Sequence, residues 1–133
     1  MDAENLRALA TDGVVVFDGE VALIERSHPP QEGHWVLPGG LVEREETARE
    51  ACAREVREEI GVDADPVAFV GLYDDPDRDE RGNVSAAYRC RPRGEASPEA
   101  REEARRVATF PPDDLPEMGF DHARIVVDAF EDA

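Results

Sequence analysis

GLVEREETAREACAREVREEIGV, residues 40–62, says more about this chain than any other part of it. It opens on Gly40 and reaches Glu46 after five residues. Seven residues further on it runs through Arg54-Glu55-Val56-Arg57-Glu58-Glu59-Ile60-Gly61-Val62. So many glutamates would suit an acidic, solvated helix, but the spacing argues for more. On a helix turning about 100° per residue, Glu55, Glu58 and Glu59 share one face. Cys52, Val56 and Ile60 form a neighbouring apolar stripe, and Arg54 and Arg57 occupy a third side. Like charges at i,i+4 repel. Hard divalent cations such as Mg²⁺, which prefer carboxylate oxygens, would neutralise such a face. Thr47 and Glu50 have the spacing of a capping box that starts the helix, and Gly61 supplies its stop.

The rest of the chain fits one small domain spanning residues 1–133. No apolar run approaches the roughly 20 residues of a membrane span, and the N-terminus MDAENLRALATDG lacks the basic start and apolar core of a signal peptide. Cys52 and Cys90 lack Cys-x-x-Cys spacing and read as reduced thiols. His28, His34 and His122 show no metal-ligand spacing. The expected location is therefore the cytoplasm. Net charge is -17 with 32 acidic residues, and all 15 basic residues are arginine. Such a surface repels phosphate backbones, which argues against nucleic-acid polymers as partners. The favoured account of the charge is adaptation to a salt-rich, halophile-like cytoplasm. The competing one is a GC-rich genome that favours arginine codons.

Elements alternate as in an α/β sandwich. Val14-Val15-Val16-Phe17 and Val21-Ala22-Leu23-Ile24 flank Asp18-Gly19-Glu20, a hairpin signal. Residues 27–33 read as a loop and 35–37 as a short strand. Residues 67–72 and 84–90 read as strands around a charged loop, 74–83. A further strand, 107–110, is broken by Pro111-Pro112, and an amphipathic helix over 121–131 turns Ile125, Val126, Ala129 and Phe130 inward. Residues 95–106 are polar enough to read as a loop over the site or a mobile segment.

Residues 40–62 resemble the Nudix box, Gly-x5-Glu-x7-Arg-Glu-U-x-Glu-Glu-x-Gly-U, where U is a bulky aliphatic residue. Gly40, Glu46, Arg54, Glu55, Val56, Glu58, Glu59, Gly61 and Val62 fill its specified positions. Trp35-Val36-Leu37-Pro38-Gly39-Gly40 resembles the strand and turn that lead into the box, whereas Glu45 stands where many members carry glycine. The resemblance implies a Nudix-type α/β/α sandwich with a mixed β-sheet between helices. It also implies metal-dependent attack of water on nucleoside diphosphates linked to another group, X.

By that resemblance Glu55, Glu58 and Glu59 hold Mg²⁺ or Mn²⁺, with the carbonyl of Gly39 as a further ligand. Arg54 orients the carboxylates, Glu46 supports them, and Gly40 lets the backbone come close. The general base is left open between a box glutamate and the distal Glu99, Glu102 and Glu103. Arg106 stands where relatives often carry a glutamate. Tyr73-Asp74-Asp75-Pro76-Asp77-Arg78-Asp79-Glu80-Arg81-Gly82 and Gly119-Phe120-Asp121-His122 are similar to segments of the ADP-ribose pyrophosphatase subgroup. This makes ADP-ribose or a related ADP-sugar the expected substrate. Arg78 and Arg81 are candidate substrate contacts, as is Arg26 at the end of the second strand. The alternatives are a nucleoside triphosphate pyrophosphatase that cleans the nucleotide pool and a Nudix-like ligand-sensing or regulatory domain. Expected partners are the nucleotide itself and, as a candidate, a second copy in a homodimer.

Overall fold

The computed structural model describes residues 1–102 and 104–131. After a short 3-10 turn, Ala3–Asn5, the elements are β1 (Leu9–Phe17), β2 (Glu20–Arg26), β3 (Trp35–Val36), β4 (Gly39–Leu41) and α1 (Ala48–Ile60). Then follow β5 (Ala64–Tyr73), β6 (Val84–Pro92), β7 (Ala104–Phe110) and α2 (His122–Glu131).

Strand β1 organises the sheet. Its Val16 and Phe17 pair antiparallel with Val21 and Glu20 of β2. The two linking residues, Asp18 at φ 50° and Gly19 at φ 83°, both lie in the left-handed region, as a type I′ hairpin turn requires. Residues Leu9 to Val15 of β1 run parallel to Val84 to Cys90 of β6, and Ala10 to Asp12 pair with β4. Among the described residues the strand order is β3-β2-β1-β6-β5, with β4 on β1 and β7 on β2. The sheet is mixed, as expected.

Alternation along β1 sends successive side chains to opposite faces. Val15 packs with Cys52, Val56 and Ile60 of α1, and with Ala86, Tyr88 and Cys90 of β6. Val14 packs with Val21 and Leu23 of β2 and with Ile125, Val126 and Ala129 of α2. One helix therefore covers each face, and the expected sandwich is what forms. The Thr47 hydroxyl accepts from the Glu50 amide while the Glu50 carboxylate accepts from the Thr47 amide, so the capping box is complete. Gly61 ends α1 at φ 70°.

Three expectations needed correction. Gly39–Leu41 is a strand, unmarked in sequence because two glycines carry no β propensity; its pairing with β1 supplies what propensity does not. Strands β5 and β7 begin earlier than their apolar runs, at Ala64 and Ala104. The segment before β7 does not lie over the site. The amides of Glu99 and Arg101 donate to the carbonyls of Ile60 and Glu59, at 2.8 and 2.9 Å, and so close the C-terminal end of α1. Glu103 lies outside the described residues. Among those described, no helix is long and apolar enough to cross a membrane.

Candidate active site

A cleft of about 420 Å³ opens where the β1 backbone, the β3–β4 turn and α1 meet. Glu55 and Glu59 reach it from α1, Gly39 and Gly40 from the start of β4, and Glu43 and Arg54 line it as well. Arg54 is the centre of the carboxylate network. Its guanidinium donates to both oxygens of Glu46 (3.0 and 2.5 Å), to Glu55 (2.7 Å), to Glu58 (3.2 Å) and to the carbonyl of Leu41 (3.1 Å). The Arg54 hydrogen bonds, with help from the Glu43 amide, hold the Glu46 carboxyl down at about 2. Burial pushes the Glu55 carboxyl up; Arg54 opposes this, and the neighbouring Glu58 and Glu46 reinforce it. Glu59 is buried and accepts from the Gly39 amide at 3.4 Å. Glu58 is the outlying member, tied to Arg54 and 44% exposed.

Glycine at position 40 has a steric reason. A Cβ there would stand 2.5–2.7 Å from the Glu55 carboxyl atoms, so any larger residue would push that carboxylate out of its present place beside β4. A hard cation fits this place in donor type, since Glu55, Glu59 and Glu43 bring carboxylate oxygens to one cleft whose lining holds no cysteine. Among the described residues, however, no three acidic or imidazole side chains are already gathered around one point. Instead the guanidinium of Arg54 supplies the positive charge between Glu46, Glu55 and Glu58.

The far part of the cleft is lined by Arg26, His28, Arg78, Asp79, Arg81 and Phe120. Arg78 donates to both oxygens of Asp121 (2.8 and 2.7 Å) and to the carbonyl of Asn83 (3.0 Å), with its side chain only 4% exposed. Its donors therefore serve mainly to lock the 74–83 loop to the start of α2. Arg7 holds the same loop by its ends, donating to the carbonyls of Asp74 and Gly82. Arg81 is fixed by Asp79 at 2.8–3.0 Å but remains 45% exposed in the cleft. Arg26 donates to the carbonyl of Pro30 at 2.6 Å.

Spacing and motif assign no role to Asp12, which is buried against Gly39. Its carboxylate accepts from Ser85 at 2.5 Å and lies 3.5 Å from His122 Nε2. Burial raises its pKa, but His122, Ser85 and Arg78 outweigh that and hold it below the ordinary carboxylate range. His122 Nδ1 accepts from the Leu37 amide at 3.0 Å, which leaves Nε2 as the protonated nitrogen of the neutral ring, facing Asp12. This pair clamps the strand leading to Gly39. An aspartate two residues before the apolar run at 14–17 was the available signal, because a charge buried there demands a partner. The distal candidates Glu99 and Glu102 do not line the cleft. Arg106 instead pairs across strands with Glu25, at 2.9 Å.

The NUDIX domain model matches residues 7–130. An ADP-ribose pyrophosphatase of Methanocaldococcus jannaschii is 36% identical over 121 residues, covering 91% of this chain and 72% of its own length. A MutT-like protein of Streptomyces ambofaciens is 34% identical, over 96% of this chain and 80% of its own. Among solved structures, a MutT/nudix family protein from Enterococcus faecalis superposes with a TM-score of 0.81 at 26% identity. That match covers 96% of this chain and 62% of the other.

Proposed function

The chain belongs to the Nudix hydrolase family, and on that premise we propose that it cleaves the diphosphate of ADP-ribose or a related ADP-sugar with Mg²⁺ or Mn²⁺ as cofactor. One observation carries this reading: Glu55, Glu59 and Gly39 share a single cleft with Arg26, Arg81 and Phe120. A sugar-linked nucleoside diphosphate is long and carries its charge in the middle. Oxygen donors for a cation and guanidinium donors for phosphate oxygens, in one cleft, suit that shape. The likeness to the Methanocaldococcus ADP-ribose pyrophosphatase favours the same substrate.

Glu55, Glu58 and Glu59, with the carbonyl of Gly39, are the residues that would hold the cation. When bound, the cation would neutralise phosphate oxygens and favour attack by water. Arg54, itself held by Glu46, orients Glu55 and Glu58, the Gly39 amide holds Glu59, and Gly40 keeps the approach open. Water attacks one phosphorus in line, the bond from that phosphorus to the bridging oxygen breaks, and the departing phosphate keeps the oxygen. Of the candidates among the described residues, the cleft carboxylates are the ones placed to accept the proton, since Glu99 and Glu102 stand outside. Arg81 and Arg26 contact phosphate oxygens, and Arg78 acts by holding the loop that carries Arg81. A homodimer would cover Phe69 and Leu72 of edge strand β5, each more than half exposed.

A substrate panel with Mg²⁺ at high salt tests the reading. ADP-ribose should give AMP and ribose 5-phosphate with the highest kcat/KM. A panel in which a nucleoside triphosphate wins would assign the chain to nucleotide-pool cleaning instead.

A further inference from the structure

We infer that Phe120 is a positioning residue for substrate binding. Its ring racks the guanidiniums of Arg26 and Arg81 against one wall of the cleft, so that both meet the ligand's phosphate oxygens together. This rests on the function proposed above.

The backbone at Phe120 supplies the first argument. Phe120 has φ 54°, a left-handed conformation that bulky L residues rarely adopt. Glycine or asparagine would make the same turn into α2 without strain. A strained aromatic held in a cleft wall points to a role for its ring. The neighbours of the ring supply the second. The Arg26 and Arg81 guanidinium carbons lie 5.5 and 5.2 Å from its centroid, within the range of cation–π attraction. Two guanidiniums repel each other, and an aromatic ring within reach of both attracts both. Each is also held from another side, Arg81 by the Asp79 carboxylate and Arg26 by the Pro30 carbonyl. All three side chains line the cleft that contains Glu55 and Glu59.

Phe120 also packs against the α1-side core, so the test must separate packing from cation placement. Phe120→Leu keeps apolar bulk and removes the ring. It should raise KM for ADP-ribose about tenfold, the scale of a partly desolvated cation–π contact, with kcat nearly unchanged and little change in melting temperature. Phe120→Tyr should restore KM to within about twofold. Phe120→Gly removes the backbone strain as well as the ring, so its KM should rise while its melting temperature falls less than the lost packing alone would predict. In an Arg26→Ala, Arg81→Ala background, Phe120→Leu should add little to KM, because the ring acts through those two residues.

Unchanged KM in Phe120→Leu overturns the inference. So does an effect fully additive with the arginine changes, or a loss that appears only in melting temperature. The wild-type chain judges the substrate separately. If it ignores ADP-ribose but hydrolyses a triphosphate, the substrate reading falls, and the same variants on that triphosphate decide the role of Phe120.

Discussion

Arg54 joins Glu46, Glu55 and Glu58 through one guanidinium, and the three acids should respond differently to change. Glu59 stands apart from that network, buried and bonded to the Gly39 amide. Glu59→Gln keeps the shape and an acceptor oxygen but loses the charge that a cation needs. We expect Mg²⁺-dependent turnover to fall on the order of 10³-fold or more, with the melting curve nearly unmoved. Initial rates across a Mg²⁺ titration would read this, and full activity in the variant would remove Glu59 from the site. Glu46 makes a prediction in pH. Its carboxyl is depressed from 4.5 to about 2 by Arg54, so the folded state prefers it ionised. The stabilisation is present in full above pH 4.5 and is lost as pH falls towards 2. Melting temperatures in EDTA should therefore show wild type above Glu46→Gln at pH 6, with the gap closing between pH 4.5 and 2. A gap that persists at pH 2 would mean the pair contributes through something other than charge.

Helix α1 was legible almost to the residue because its signals are local. Thr47 and Glu50 cap it, Cys52, Val56 and Ile60 give it an inward stripe, and Gly61 stops it at φ 70°. Thr47→Ala removes one half of a reciprocal cap and should cost about 1 kcal/mol, read as a lower urea midpoint at unchanged slope. An unchanged midpoint would show that tertiary packing alone sets the start of α1. Strand β4 was not legible, because Gly39 and Gly40 become a strand only through pairing with β1. The segment before β7 was misplaced for a similar reason. Its polarity reads as solvent exposure, yet two of its amides satisfy the last carbonyls of α1. The site divides along the same line. Glu55, Glu58 and Glu59 follow from spacing within one helix, whereas the role of Arg54 follows from the resemblance to the box, since spacing alone set it on another side. The Asp12–His122 pair joins residues 110 positions apart, and Arg78 turned inward because its partner Asp121 comes from another element. Sequence spacing cannot show which arginine a distant aspartate will hold.

Charge acts on the chain as a unit. Thirty-two acidic residues face 15 arginines, leaving a net -17 on 133 residues. Some of that charge is paired at the surface, as in Arg93 with Asp65 and Arg105 with Glu32. Exposed pairs of this kind contribute about 0–1 kcal/mol each and weaken in salt. Salt therefore acts in two directions, loosening these pairs while screening the surplus of like charge. The surplus should win, because it spreads over the whole surface and the pairs are individually weak. Screening sharpens as the Debye length falls from about 8 Å at 0.15 M to about 3 Å at 1 M. The melting temperature should thus climb by several degrees as KCl rises from low to molar concentration, in the presence of EDTA so that cation binding at the glutamates plays no part. Because both salt adaptation and a GC-rich genome account for arginine in place of lysine, composition alone does not separate them, whereas the salt response does. A melting temperature that stays flat or falls with KCl would leave codon usage as the better account of the composition.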